Sequence, residues 1–437
     1  MRTTRTVIPA AVLALLVSRV TFGQPTITSI SPETGKVGGT VTITGTGFDA
    51  TPANNKVYFG AVSAPVLSAS VTSLRLNSPA QATFSHVSVT TGNLTEYSRR
   101  PFIVTFNPNA TVTTGSFGNR ENFPIGGGPE HTAIADFDGD GRPDMATICF
   151  ASNKMYSFVN TSTVGIVNFR TVQDDGIGPR VDSTEVLPQE IAAADIDGDG
   201  KLDIIVANFD TTTARKSTIS VFRNTSTVGN ISFATRVNDS VGVSPAGLAV
   251  ADIDGDGKPD IVTANEVSGD ISFIRNTSTP GNITFGTTST TVRGGLPHTV
   301  AIGDLDGDGK PDIAVTNTDI REISVYPNKS TTGNIAFDNP TSVSFYVGTT
   351  QVAESLAVPL FVALGDIDGD GKADLVATDT TQVAPKVFIL RNTSSGVGNF
   401  SFASPVKLTR GNGFGAPTIA DITGDGRPDI VVGNSRR

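Results

Sequence analysis

The sequence predicts an all-β chain: a small N-terminal β-sandwich, then a β-propeller of six four-stranded blades, with seven blades as the alternative. Three observations carry this. The composition is turn-rich, with 46 Gly and 25 Pro and few runs of helix formers, which favours short strands joined by tight turns. An acidic motif begins at Asp136, Asp195, Asp252, Asp304, Asp366 and Asp421, at steps of 59, 57, 52, 62 and 55 residues. Between successive copies lie four short β-type runs, which is the content of one propeller blade.

The N-terminus reads as an export signal. Arg2 and Arg5 form a basic start, and VIPAAVLALLV (7–17) is apolar but too short to span a bilayer comfortably. Thr21-Phe22-Gly23 then places small residues at both cleavage-pocket positions. Residues 1–23 are the expected signal peptide, with an uncleaved anchor as the alternative. No transmembrane segment is expected after cleavage, and the expected location is extracellular or cell-surface.

Charge and cysteine usage exclude several classes. The formal net charge is −10, and no Lys/Arg cluster offers a footprint for phosphate, so no nucleic-acid partner is expected. Cys149 is the single cysteine, which rules out an internal disulfide and Cys-based zinc or redox motifs. Its apolar, strand-like flanks predict a buried small hydrophobe.

From Gln24 to Phe106 short alternating runs such as VTITGTGF (41–48), KVYFGAV (56–62), HVSVTTG (86–92) and PFIVTF (101–106) are separated by turn residues, as in a small sandwich. The opening PTITSISPETGKVGGTVTITGTGF resembles the TIG/IPT family of immunoglobulin-like domains, with its Ser-Pro turn, its Gly-Gly turn and a strand ending in Gly-x-Gly-Phe. That resemblance implies a spacer or binding module and assigns no role by itself.

Residues 107–437 carry the repeat. A short apolar run precedes each acidic motif (EIAAA, GLAVA, HTVAIG) and a second follows it (IIVAN, IVTAN, IAVTN). These two read as inner strands. The third run (TISVFRN, DISFIRN, EISVYPN) reads as half-exposed, and a fourth ends in Phe (GNISF, GNITF, GNIAF). The sixth copy ends at Arg437 after its second run. Residues 102–117 align without a gap on 218–233, so they are candidates to complete the last blade and close the ring. PFIVTF is equally the natural last strand of the first domain; either the sixth blade has three strands or the natural chain continues.

Each acidic motif reads Asp-x-Asp-Gly-Asp-Gly-x-x-Asp, with carboxylates at positions 1, 3, 5 and 9. The expected ligands are Asp136, Asp138, Asp140 and Asp144; Asp195, Asp197, Asp199 and Asp203; Asp252, Asp254, Asp256 and Asp260; Asp304, Asp306, Asp308 and Asp312; and Asp366, Asp368, Asp370 and Asp374. The sixth copy offers Asp421, Thr423, Asp425 and Asp429. Position 7 (Arg142, Lys201, Lys258, Lys310, Lys372, Arg427) is expected to add only its backbone carbonyl. Four carboxylates and a carbonyl match the six to eight oxygens that Ca²⁺ takes, and all-oxygen ligation disfavours zinc and copper. About one Ca²⁺ per repeat, up to six, is expected. An EF-hand is excluded, because position 12 is Thr147, Val206, Thr263, Val315, Ala377 or Val432 rather than Glu.

Six such loops at blade spacing, each followed by an apolar strand, resemble the FG-GAP/VCBS repeat family, which includes the calcium-binding blades of integrin α-subunit propellers. The resemblance covers residues 107–437 and implies a propeller with loop-bound Ca²⁺. Thr423 in place of the position-3 Asp is a departure. Aspartates that merely solvate tight turns would explain one copy, but not six with matching glycines.

For function the sequence offers little catalytic material. His131 and His298 occupy similar places before their motifs, so blade register explains them, and His86 lies in the first domain. A sugar-binding propeller is the main alternative, or the accessory region of a polysaccharide-processing system; an extracellular hydrolase or lyase is a further one. Against a lectin, there is no Trp and there are five Tyr to stack on sugar rings. The expectation is a non-catalytic, calcium-stabilised adhesion or binding module, monomeric, with an extracellular protein or glycan as partner. The Asn-Thr-Ser triplets at Asn160, Asn224, Asn276 and Asn392 read as turn residues in a bacterial protein rather than glycosylation acceptors.

Overall fold

The computed structural model describes residues 25–60, 62–79, 85–92, 94–105, 121–125, 127–163, 166–172, 186–210, 217–292, 295–344, 358–379, 386–409, 414–420 and 427–434. The expected signal peptide and the first three ligands of the sixth loop lie outside these. Among the described residues no helix is long and apolar enough to cross a membrane.

The first domain is a sandwich of two sheets. One has the order Thr26–Ser31, Thr40–Thr46, Ser73–Asn77, Val66–Ser70; the other Thr34–Lys36, Leu94–Thr105, Ser85–Thr91, Asn55–Phe59, Val62–Ser63. Alternate residues of both sheets point inward, so Val41, Ile43, Val57, Phe59, Leu74 and Leu76 form one core. Phe59 and Phe102 meet edge-on at 5.0 Å between ring centres. Thr34 pairs with Ile103, so residues 102–105 belong to this sandwich. The use of residues 102–105 in the last blade is therefore corrected, while the strand around Phe117 lies outside the described residues. Burying Phe102 against Phe59 satisfies the run within its own domain.

Five four-stranded antiparallel sheets follow, each with strands in chain order, and a sixth with two described strands. Blade three shows the pattern: Pro245–Ala251, Asp260–Asn265, Asp270–Ile274, Ser289–Val292. The inner strands of successive blades (Pro129–Ala135, Val186–Ala194, Pro245–Ala251, Pro297–Gly303, Pro359–Gly365, Phe414–Ala420) pack side by side. They are half-exposed, whereas second strands such as Asp260–Asn265 and Asp312–Asn317 are buried throughout.

The apolar core sits in the seams between blades rather than within them. Ile148 and Ala133 of blade one pack with Ile191, Ile204 and Phe222 of blade two, and the pattern recurs between later pairs. This face-to-face stacking corrects the reading of the third strands. Thr218–Phe222, Asp270–Ile274 and Glu322–Tyr326 are buried except at their first residue. Their serines are buried too, and pair with amides: Asn208 Nδ2 donates to Ser220 Oγ at 2.8 Å and Asn265 Nδ2 to Ser272 Oγ at 2.8 Å.

A second correction concerns the fourth strand. In blades two to five the GN-x-x-F segments are compact hairpins closed by bridges Asn224–Phe233, Asn276–Phe285, Asn328–Phe337 and Asn392–Phe402. The true fourth strands come later, at Val237–Ser240, Ser289–Val292, Thr341–Ser344 and Val406–Thr409. As outer edges they are polar and short, so the apolar pattern passes over them. The recurring Phe side chains pack inward, with Phe273 stacked on Phe337 at 4.8 Å.

The sandwich rests on the propeller face that carries the acidic loops. Tyr58 Oη donates to Gly200 O at 2.8 Å and Thr95 N to Gly257 O at 2.7 Å.

Candidate metal centres

Each of the first five acidic motifs is the hairpin between a blade's first and second strands, and its geometry follows from three features. Glycines at positions 4 and 6 take positive φ, as in Gly255 (+72°) and Gly257 (+83°), which a side chain would oppose. The position-1 carboxylate then collects the N–H groups this turn exposes. Asp252 accepts from Gly255 N at 2.9 Å, Asp256 N at 3.1 Å and Gly257 N at 2.8 Å. Positions 3 and 5 each accept the N–H two residues ahead, Asp254 from Asp256 at 3.0 Å and Asp256 from Lys258 at 3.0 Å.

Position 9 starts the second strand and is buried in the first five loops, at most 1% exposed. Asp260 accepts Ile253 N at 3.1 Å with one oxygen and Asn276 N at 2.8 Å with the other. The same pair of bonds recurs at Asp144, Asp203, Asp312 and Asp374.

Ligand atoms converge in five loops. Carboxylate oxygens lie within 4.8 Å of one another in Asp136, Asp138 and Asp144; Asp195, Asp197 and Asp199; Asp252, Asp254 and Asp260; Asp304, Asp306 and Asp308; and Asp366, Asp368 and Asp374. These clusters could hold metal ions. Asp140, Asp203, Asp256, Asp312 and Asp370 belong to the same hairpins but stand outside those triads. Asp421, Thr423 and Asp425 lie outside the described residues, while Arg427 is exposed and Asp429 pairs with Ala420.

Burial and mutual repulsion govern the charge. Burial pushes Asp260 up to about 8, and Asp144, Asp195 and Asp312 to about 7, with neighbouring carboxylates adding to the effect. Asp136 and Asp252 rise to about 6 for the same reasons, and Asp203 lies well above the usual carboxylate range. A hard cation set among these oxygens would offset the burial penalty and the mutual repulsion by favouring the ionised carboxylates.

Several partners escaped the sequence reading. Lysines at position 7 turn their ammonium groups outward onto the Asn-x-Ser turn of their own blade: Lys258 Nζ donates to Ser278 O at 2.8 Å and Lys310 Nζ to Ser330 O at 2.7 Å. Arg142 pairs with Asp140, and Arg275 bridges Asp254 and Asp256, both at 2.6 Å. The position-3 carboxylate also reaches the next blade. Asp138 accepts from Gly229 N at 2.8 Å, Asp197 from Gly281 N at 2.8 Å and Asp254 from Gly333 N at 2.9 Å. Asn224, Asn276 and Asn392 are at most 1% exposed and hydrogen-bonded, so they serve as turn residues.

The other chemistry-bearing residues are engaged in the fold. His131 Nδ1 lies 3.1 Å from Glu190 Oε1, and His298 meets Phe361 edge-on at 5.5 Å. Burial holds the His298 imidazole down at about 4, and the buried Cys149 thiol is pushed up by burial. His86 sits on the strand Ser85–Thr91.

Successive antiparallel blades, with an acidic hairpin at the first turn of the five described in full, define a propeller repeat protein. The FG-GAP-like repeat family matches residues 195–263, 252–315, 304–377 and 366–432, more than half of the chain, and the protein belongs to that family. The IPT/TIG domain family matches residues 25–115. No curated protein matches the chain. Among solved structures, it is similar to an auxiliary nutrient binding protein from Bacteroides ovatus, with 14% identity, 94% of this chain and 99% of that chain covered, and a TM-score of 0.39. It is also similar to the Dos1 propeller (9% identity, 91% of each chain, TM-score 0.42). A third is a rhamnogalacturonan lyase from Bacillus licheniformis (14% identity, 94% and 72%, TM-score 0.39). At these TM-scores the likenesses carry no functional argument.

Proposed function

We propose that the chain is an exported, non-catalytic binding or adhesion module whose propeller is held together by calcium. The observation that carries this is the repetition of one carboxylate cage at five blade seams, each cage bonded to the following blade or to its own third strand. Positions 1, 3, 5 and 9 of each loop would hold the ion, and the carbonyl of position 7 would complete an all-oxygen shell. The bound ion supplies charge neutralisation and a fixed turn, not a reactive centre. Of the 42 acidic residues, 23 lie in the six loops, and six divalent ions would carry the formal charge from −10 to about +2.

The non-catalytic reading rests on the engaged histidines and on the buried Cys149. Export rests on the N-terminal segment 1–23, and the partner is an extracellular protein or glycan. Calorimetric titration of stripped protein with CaCl₂ tests the metal reading: about one ion per intact loop supports it, and no heat of binding removes it. Secretion of a fusion carrying residues 1–23, and its loss on deletion of 7–17, tests export.

A further inference from the structure

Two hydrogen bonds from the immunoglobulin-like domain to the propeller end on equivalent atoms. Tyr58 Oη donates to the carbonyl of Gly200, position 6 of the second loop, and Thr95 N to that of Gly257, position 6 of the third. The domain presses closely on this backbone. Tyr58 is 7% exposed, and a Cβ added at Gly200 would sit 2.8 Å from Lys56 Cγ. In each case the N–H of the same glycine donates to the position-1 carboxylate, Gly200 to Asp195 at 2.9 Å and Gly257 to Asp252 at 2.8 Å. The peptide planes that carry the two receiving carbonyls are held through the next N–H, Lys201 N donating to Asp199 at 2.9 Å and Lys258 N to Asp256 at 3.0 Å, so position-5 carboxylates that would hold the cations aim them.

We propose that loops two and three are the seat of the immunoglobulin-like domain, and that their cation occupancy decides whether this domain is docked on the propeller or released from it. This rests on the metal reading above and adds a regulated contact to it. With an ion bound, Asp199 and Asp256 are fixed and both glycine carbonyls face the domain. Without it, the carboxylates crowded in each loop repel one another, less in loop three, where Arg275 pairs with Asp254 and Asp256; the turns relax, and the two acceptors lose their alignment. The docked domain also faces the inner strands across a half-open cavity of about 1080 Å³, lined by Thr28, Ser88 and Tyr97 on one side and Ala133, Val250 and Ile302 on the other. Release of the domain would remove one of its walls.

The test is a spin-label distance measurement on the full chain. Labels go on Val71→Cys and Val397→Cys, both exposed (59% and 63%), in a Cys149→Ala background. With calcium the distribution is expected to be narrow, and with chelator broad and longer. Asp199→Asn with Asp256→Asn keeps an acceptor for Lys201 N and Lys258 N while removing a carboxylate ligand from loops two and three; it should lower calorimetric stoichiometry by two and broaden the distribution in calcium. Asp370→Ala, in loop five, should lower stoichiometry by one and leave the distribution narrow. Tyr58→Phe should broaden it with stoichiometry unchanged. Calcium binding with a distribution that ignores chelation overturns this inference alone, as does equal broadening in Asp370→Ala. Absence of any calcium binding overturns the metal reading and this inference with it.

Discussion

Asn276, at the end of the third strand of blade three, donates its side-chain amide at 2.7 Å to the carbonyl of Ile196, inside the loop of blade two. The same amide reaches Pro259 O at 3.0 Å, and Asn276 Oδ1 accepts Ser278 N at 2.9 Å. One buried side chain thus ties a strand end, its own loop and the preceding blade. Asn224, Asn328 and Asn392 repeat the arrangement onto Phe137, Ile253 and Leu305.

Removing that amide leaves two carbonyls and one N–H without partners. Asn276→Ala is expected to cost about 2–4 kcal/mol, as buried polar groups left unsatisfied do. Urea unfolding measures it. Asn276→Asp should cost more, because it adds a carboxylate beside Asp260 while losing both donors.

The raised carboxylates make stability depend on pH with a definite sign. In the cation-free protein Asp260 holds its proton to about 8, and Asp144, Asp195 and Asp312 to about 7, against 3.8 ordinarily. The folded state therefore binds more protons than the unfolded one between these values. Stability is fully present below about pH 4 for these groups and is lost as pH rises towards 8. In chelator, the melting temperature should fall from pH 5 to pH 8. Calcium must displace those protons, so the increment it adds should grow over the same interval.

Arg275 competes for the third loop. Its guanidinium neutralises Asp254 and Asp256, whose side chains are 0% and 10% exposed. Arg275→Met removes a positive charge a few ångströms from the cation position. Calorimetry should show about one site tightened several-fold, and melting in chelator should show lower stability, since the two carboxylates then face each other unpaired.

Ser157 carries one of two buried unpaired hydroxyls among the described residues, both in blade one. It is 1% exposed and its hydroxyl has no partner among the described residues. The positions in register with it in blades two to five are Val221, Phe273, Val325 and Ile389. Ser157→Ala should stabilise the protein by about 1 kcal/mol, the cost of burying an unpaired hydroxyl. A thermal scan in saturating calcium would show the rise.

Much of the architecture was legible because it repeats. Asp-x-Asp-Gly-Asp-Gly is short, local and governed by turn stereochemistry, so its spacing located the first and second strands of each blade. The fourth strands were misplaced because an edge such as Val237–Ser240 carries no apolar pattern, while Phe233 beyond the third strand does. The third strands looked half-exposed because Ser220 and Ser272 are polar, yet both are buried and paired with asparagine amides. The seam contacts from Asp138 to Gly229 and from Asn276 to Ile196 join residues more than 75 positions apart. No local pattern encodes such contacts, although the recurring Asn and Gly marked their ends.

The most direct test is a thermal melt of metal-stripped protein at pH 7.5, in EDTA and then with added CaCl₂ or MgCl₂. Each loop held at a hundred times its dissociation constant adds roughly 2.7 kcal/mol, so calcium should raise the melting temperature steeply. Magnesium should do so weakly, because it demands tighter octahedral geometry. Identical melts in EDTA and calcium would contradict the account.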